Sequence, residues 1–307
     1  MNPVVALIIT NIIWGAAAPV FKLALTNIPP FTLAFIRFFF AGLIFIPFII
    51  FRKYTITKGQ LIQILLGAFF SITINISFFF LALPKTNSIN APVIASAQPI
   101  FLFLLSIFLL HEKPQKRVFR GIFISFVGVL IIIFSPLLLN HGTTFLQKET
   151  AMEGNILLVV ATLGAVIQAI INKKVLSEVH HTIVSCIAFL FGALTFIPPM
   201  MPEFNTWSFA QLNMNGWIGI VFGILFSSAI AYGLYMYGMS KIDAQEVGIF
   251  TYIDPVIAVL IAIPLLAEFP TPAFFIGTLF VFIGIIIAEK RLHWHPLHKI
   301  KHVTRTM

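Results

Sequence analysis

Stretches of about twenty apolar residues, the length an α-helix needs to cross the hydrocarbon core of a bilayer, recur along this chain almost from end to end. Reading by hydropathy places ten such spans at 4–25, 31–51, 60–83, 88–110, 118–138, 154–175, 182–201, 215–238, 244–267 and 272–289. Composition agrees: 59% of the 307 residues are apolar and 9% are charged. A soluble domain carries about 25% charged residues, so this chain cannot solvate a globular surface and lipid is its solvent. Inside lipid a segment must satisfy its own backbone groups, so the spans are helices. Pro19, Pro99 and Pro255 within them are no objection, because neighbouring helices can satisfy the groups that proline frees.

The net charge of +9 is distributed as in a membrane protein rather than a nucleic-acid binder. With the N-terminus inside, fifteen Lys and Arg fall in inner segments, from Arg52 and Lys53 to Arg305. Lys22, Lys85 and Lys148 fall in outer ones, and Arg37 lies within a span. By the positive-inside rule both termini are expected in the cytoplasm, which gives a multi-pass protein of the inner cell membrane. Met1-Asn2-Pro3 offers no basic region ahead of the first apolar run, so that run is expected to stay as a span. The single cysteine, Cys186, permits neither a disulfide within the chain nor a cysteine metal site.

The chain also repeats itself. A shift of 156 positions brings Gly67 onto Gly223, Lys85 onto Lys241, Pro99 onto Pro255, Glu112 onto Glu268, Gly121 onto Gly277 and Gly128 onto Gly284. Apolar composition would match Leu and Phe by chance, but not single Lys, Glu and Pro positions. Earlier helices match at a shift of 150, with Thr32 and Gly42 meeting Thr182 and Gly192. The expected organisation is a first five-helix repeat over 1–138, an outer linker over 139–153, a second repeat over 154–290 and a basic cytoplasmic tail over 291–307. Five is odd, so equivalent segments lie on opposite sides of the membrane. The basic junction "HEKPQKR" at 111–117 and its uncharged-to-acidic counterpart "AEFPTPA" at 267–273 agree. Inverted repeats of this kind form secondary transporters with a midplane site between the halves.

The segments "IIWGAAAPVFKLAL" at 12–25, "LAFIRFFFAGLIFIP" at 33–47 and "ASAQPIFLFLLSIFLLHEKPQKRVFRGIFISFVGVLII" at 95–132, the last repeated in the second half, resemble the drug/metabolite transporter superfamily, specifically its EamA-type ten-helix members. The resemblance implies an all-α fold of two inverted five-helix repeats and alternating access. It also implies small polar or amphipathic substrates, frequently amino acids or other metabolites and often moved outward.

Polar side chains deep in a span cost free energy unless they meet a partner or water, so each is a candidate. Asp254 is the one acidic residue near the middle of a span. It can carry a proton as coupling ion or face a substrate amine; equally, it can pair with Arg37 or with backbone freed by Pro255. Its repeat counterpart is Gln98, which cannot titrate. Arg37 is a candidate for packing, for an outer gate or for a substrate carboxylate. Helical spacing lines up Asn11, Gly15, Ala18 and Lys22 with Trp14 beside them; Ser71, Asn75 and Phe79; Ala161, Ala165, Gln168 and Asn172; and Ser227, Ala231 and Tyr235. Such stripes line a cavity or let helices pack closely. Trp14, Tyr232, Tyr235 and Tyr252 offer flat apolar faces with a polar tip, which suit an amphipathic ligand, an anchor at the membrane interface or ordinary packing. Lys22 is expected to snorkel to the headgroups rather than to attract substrate, and Glu112 and Glu268 to satisfy loop amides or cap the next helix rather than to take part in transport.

The leading expectation is a secondary-active carrier of a small metabolite, with the lipid bilayer, the solute and protons as partners and no nucleic acid. The rival is an intramembrane binding or scaffold protein that moves nothing. No phosphate-cradling loop, zinc pattern or nucleophile elbow suggests an ATP-driven pump or an enzyme, so no cofactor or metal is expected. The tail "HWHPLHKIKH" at 293–302 suits a membrane surface as well as it suits a metal.

Overall fold

A computed structural model of the chain describes residues 1–50, 56–98, 101, 116–138, 145–239, 241 and 250–288. Pro99, Glu112, most of the expected fourth span, the start of the ninth and the basic tail lie outside the described residues. The helices are α1 (Pro3–Ala24), α2 (Pro30–Ile50), α3 (Lys58–Ala82), α4 (Asn90–Ala95), α5 (Lys116–Leu138), α6 (Phe145–Glu178), α7 (His181–Met200), α8 (Met214–Gly238), α9 (Ile253–Leu266) and α10 (Pro272–Ala288). Among the described residues there are no strands, seven of these helices are long and apolar enough to cross a membrane, and α9 and α10 are shorter apolar helices.

Local chemistry sets the ends. Asn2 caps α1, its side chain accepting from Val4 N at 2.9 Å with Pro3 in the first turn, where proline forfeits no helical hydrogen bond. Thr57 and Gln60 form a reciprocal capping box at the start of α3. At the end of α9, Ala267 takes the left-handed conformation (φ 52°) that stops a helix and reverses the chain. Glu203, in the connection between α7 and α8, accepts from Phe31 N at 3.0 Å, Thr32 N at 2.7 Å and Thr32 Oγ1 at 2.7 Å. It thereby satisfies amides left free at the start of α2.

The expected linker over 139–153 is helical from Phe145 onward. The segment "LQKETAME" consists mostly of good helix formers, and hydropathy marks only where a helix leaves lipid. At 34 residues, α6 is about 50 Å long, against a hydrocarbon core of about 30 Å.

Close packing follows the glycines. A Cβ on Gly128 would lie 2.6 Å from Gly277 O, and one on Gly284 would meet Gly121 O and Ser125 Oγ. The pair α5–α10 is thus a backbone-to-backbone seam of the small-residue type. Gly42 admits Leu190 where α2 crosses α7, and Gly15 admits Asp254 and Ile257 where α1 crosses α9. Phe21, Phe38, Phe80, Phe189 and Phe196 are fully buried at the centre. The packing partners are paired: α1 packs on α9 and α8 as α6 packs on α4 and α3, and α2 packs on α8 as α7 packs on α3.

Candidate functional site

The richest polar and aromatic cluster lies where α1, α8 and α9 meet. The Trp14 ring stands 5.3 Å from Tyr232 and 4.9 Å from Tyr235, centroid to centroid, and Phe189 of α7 closes edge-on against Tyr232 at 5.1 Å. Trp14 Nε1 donates to the Ser227 carbonyl at 3.2 Å. That carbonyl belongs to a π-helical stretch, Phe222–Ile230, inside α8. A second π-helical stretch, Phe69–Ile74, lies in α3, so the repeat partners Ser71 and Ser227 both sit in widened turns. Such turns disturb the regular hydrogen-bond ladder and are frequent at functional sites.

Beside Trp14, Gly15 brings α1 onto the first turn of α9: a Cβ there would lie 2.8 Å from Asp254 O and 2.7 Å from Ile257 Cβ. Asp254 stands in that first turn, where a negative charge is favoured by the helix dipole, and Pro255 costs no hydrogen bond so near the start. Among the described residues its Oδ1 is buried without a hydrogen-bond partner, and it lies within electrostatic reach of Tyr235. One turn along α1, Asn11 is fully buried; its Nδ2 donates to Leu7 O at 2.8 Å and its Oδ1 has no partner among the described residues. Two sealed oxygen acceptors therefore occur on facing elements.

Arg37 does not pair with Asp254. It is 3% exposed, donating from Nε to Ser228 Oγ at 2.8 Å and from Nη2 to Ser227 Oγ at 3.0 Å. Its guanidinium lies 4.9 Å from the Phe21 ring centroid and 4.6 Å from that of Phe38, within cation–π range. Ser227 thus joins Trp14, through its carbonyl, to Arg37, through its hydroxyl.

The other candidates are dispersed. Asn75 Nδ2 donates to Ala161 O at 2.7 Å, tying α3 to α6. Gln168 lines a cavity of about 20 Å³ with Ser71, Ser185, Phe189 and Tyr232, room for about one water. Phe79 packs on Phe80 at 5.8 Å, and Tyr252 packs edge-on against Phe282 of α10 at 5.4 Å. Gln98 is half-buried just beyond α4, and the Asn172 side chain lies outside the described residues. The structure therefore gathers Trp14, Tyr232, Tyr235 and Asp254, with Asn11 and Arg37 at the margins, and places Phe79 and Tyr252 in other seams.

Lys22 is the clear correction. It does not snorkel: Nζ lies 2.5 Å from Glu268 Oε1 and 2.6 Å from Thr86 O. A carboxylate presented by the turn after α9 outcompetes the headgroup region. The expected loop-amide role of Glu268 holds as well, its Oε2 accepting from Ser88 N and Ser88 Oγ at 2.7 Å each. Around them, Thr86 Oγ1 meets Asn155 Oδ1 at 2.6 Å, and Asn90 Nδ2 donates to the same oxygen at 3.0 Å. No spacing in the sequence signals this network, since its members come from α1, the α3–α4 turn, the start of α4, α6 and the α9–α10 turn.

Comparison with known proteins bears on this arrangement. A profile described as the EamA-like transporter family matches residues 1–134 and 152–289. The uncharacterized transporter YetK of Bacillus subtilis (strain 168) is 27% identical over 290 residues, covering 94% of this chain and 86% of that protein. An uncharacterized transporter of Archaeoglobus fulgidus is 28% identical over 291 residues, covering 95% of this chain and 100% of its own. A probable amino-acid metabolite efflux pump of Escherichia coli (strain K12) is 24% identical over 308 residues, covering 97% of each. A crystal structure superimposes with a TM-score of 0.62 at 17% identity, covering 94% of this chain and 98% of the other; at that identity the likeness speaks for the fold alone.

Proposed function

From the premise that the chain belongs to the EamA-like transporter family and is a multi-pass membrane transporter, we propose that it moves a small amphipathic solute, an amino acid or close metabolite, by alternating access. The observation that carries this reading is the cluster of Trp14, Tyr232 and Tyr235 beside the sealed carboxyl oxygen of Asp254. Aromatic faces suit the apolar part of such a solute. An ionised carboxyl at mid-span costs about 2.5–3.5 kcal/mol on insertion scales; an ammonium group or a proton arriving at Asp254 relieves that cost. Outward movement is favoured by the efflux-pump relatives in Escherichia coli and Salmonella typhimurium. Two inverted five-helix repeats, 1–138 and 154–290, would rock about this cluster, a division supported by the paired packing of α1–α5 and α6–α10. Both termini would lie in the cytoplasm, as the charge distribution favours. A membrane enzyme is disfavoured by the family, and a scaffold by a chain that is nearly all span.

The test is a heat-stability panel on purified protein, with amino acids, amines and nucleosides supplied singly. Amino acids are expected to raise the melting temperature in wild type and to lose that effect in Trp14→Ala. A shift that is equal in both proteins, or confined to nucleosides, refutes the assignment of this cluster.

A further inference from the structure

The network at the Lys22 end of the bundle has no place in the solute site, yet it joins the elements that alternating access must separate. Lys22 closes α1, Ser88 and Thr86 belong to the turn leading into α4, and Glu268 begins the turn between α9 and α10. One carboxylate therefore holds two segments of the first half at once, α1 through Oε1 and the α3–α4 turn through Oε2. Its direction is fixed by the left-handed Ala267 immediately before it, a conformation costly for any residue with a Cβ. The Glu268 side chain is 9% exposed and that of Lys22 22%, so the contact is shielded from bulk water but reachable from it.

A pocket beside the contact supports the same view. It has a volume of about 210 Å³ and shares Lys22 and Thr86 with the network, with Lys85, Asn90, Lys148 and Thr271 among its other walls. Lys22 belongs both to that wall and to the ion pair, so pocket and contact adjoin. The second ion pair nearby, Lys85 with Glu153 at 2.7 Å, joins the α3–α4 turn to α6 but is far more exposed, at 32% and 55%, and surface pairs of that kind contribute little. Beneath, Gly15 and Asp254 hold α1 against α9 without room for a Cβ, so α1 and α9 are held at two levels: backbone contact at the site and an ion pair at the end.

We propose that Lys22, Glu268 and Ser88 form the latch that closes this end of the transporter, and that the adjoining pocket is part of the vestibule the latch seals when the solute site faces the other way. The inference rests on the alternating-access reading above. Breaking the latch shifts a two-state equilibrium, and a ligand or substitution moves such an equilibrium only by its differential effect on the two states. Removing the ion pair acts on the closed state alone.

The experiment reads the distance across the latch directly and needs no solute, so its failure is distinct from failure of the solute assignment. Asn87 and Phe269 are exposed and flank Ser88 and Glu268. Both are replaced by cysteine in a Cys186→Ser background, spin-labelled, and measured by pulsed dipolar spectroscopy in lipid nanodiscs. The parent is expected to give a dominant short distance. Lys22→Met and Glu268→Gln are expected to raise the ratio of long to short distances by up to about fivefold, as the loss of one partly shielded pair implies, while Lys22→Arg keeps the parent distribution. Each variant is checked for a single size-exclusion peak. If Lys22→Met fails to fold, Ser88→Ala, which leaves the ion pair in place, is expected to shift the distribution in the same sense by less. Distributions identical to the parent in folded Glu268→Gln and Ser88→Ala overturn the proposal.

Discussion

Gly15→Ala tests the closeness of α1 to the carboxyl-bearing end of α9. The added methyl would lie 2.7 Å from Ile257 Cβ, 2.8 Å from Asp254 O and 3.0 Å from Asp254 Cα. Two of these are backbone atoms, which cannot rotate away as the end of a flexible side chain can, so the helices must separate. Overpacking of this kind costs about 1–3 kcal/mol. Alanine in place of a mid-helix glycine returns about 0.5–1 kcal/mol of backbone entropy, leaving a net loss of up to about 2.5 kcal/mol, centred near 1 kcal/mol. Gly233→Ala is the matched control: it lies in the α-helical part of α8, next to Tyr232, and an added Cβ meets none of the described residues within 4 Å. It should therefore gain the entropy term without the clash. Thermal unfolding of the detergent-solubilised protein, followed by fluorescence-detected size exclusion, should move in opposite directions for the two variants. Gly15→Ala as stable as wild type, or stabilised as much as Gly233→Ala, would refute the claim that α1 touches the backbone of Asp254.

Two further substitutions test how the frame around the site is held. Glu203→Ala orphans Phe31 N, Thr32 N and Thr32 Oγ1; an unsatisfied buried group costs about 1–3 kcal/mol, so the melting temperature should fall, and Glu203→Gln, which keeps an acceptor, should fall less. Gly284→Leu cannot coexist with Ser125 and Gly121 on α5, and should give an unstable or aggregated protein where leucine at the outward-facing Ile283 or Ile286 gives a normal one.

How much of this was legible in the sequence follows from which forces act locally. The bounds of α1, α2, α3, α7, α8 and α10 lie within a few residues of the apolar runs, because lipid obliges each run to satisfy its own backbone. The start of α6 was not legible, since hydropathy falls at the bilayer surface while helix propensity continues through Glu149, Ala151 and Met152. The stripe Asn11–Gly15–Ala18–Lys22 was visible as a stripe, but cavity lining and close packing look alike in one dimension. Gly15 against Asp254 and Lys22 against Glu268 make it the α1–α9 seam. Trp14, Tyr232, Tyr235 and Asp254 were each readable from residue type, whereas their assembly depends on helix crossings more than 200 residues apart in sequence. The roles of Ser227 and Ser228 as partners of Arg37 depend on a π-helical turn that no local pattern announces.

The central claim is that a solute crosses the membrane through this protein by way of the Trp14–Asp254 cluster. Counterflow of labelled amino acids in proteoliposomes, with and without an imposed pH gradient, tests it most directly when wild type is run beside Asp254→Asn. Wild type is expected to show uptake that responds to the gradient, and Asp254→Asn uptake that is slower and indifferent to it. Equal flux and equal gradient response in the two proteins, or no flux from folded wild type with any of the amino acids, would contradict it.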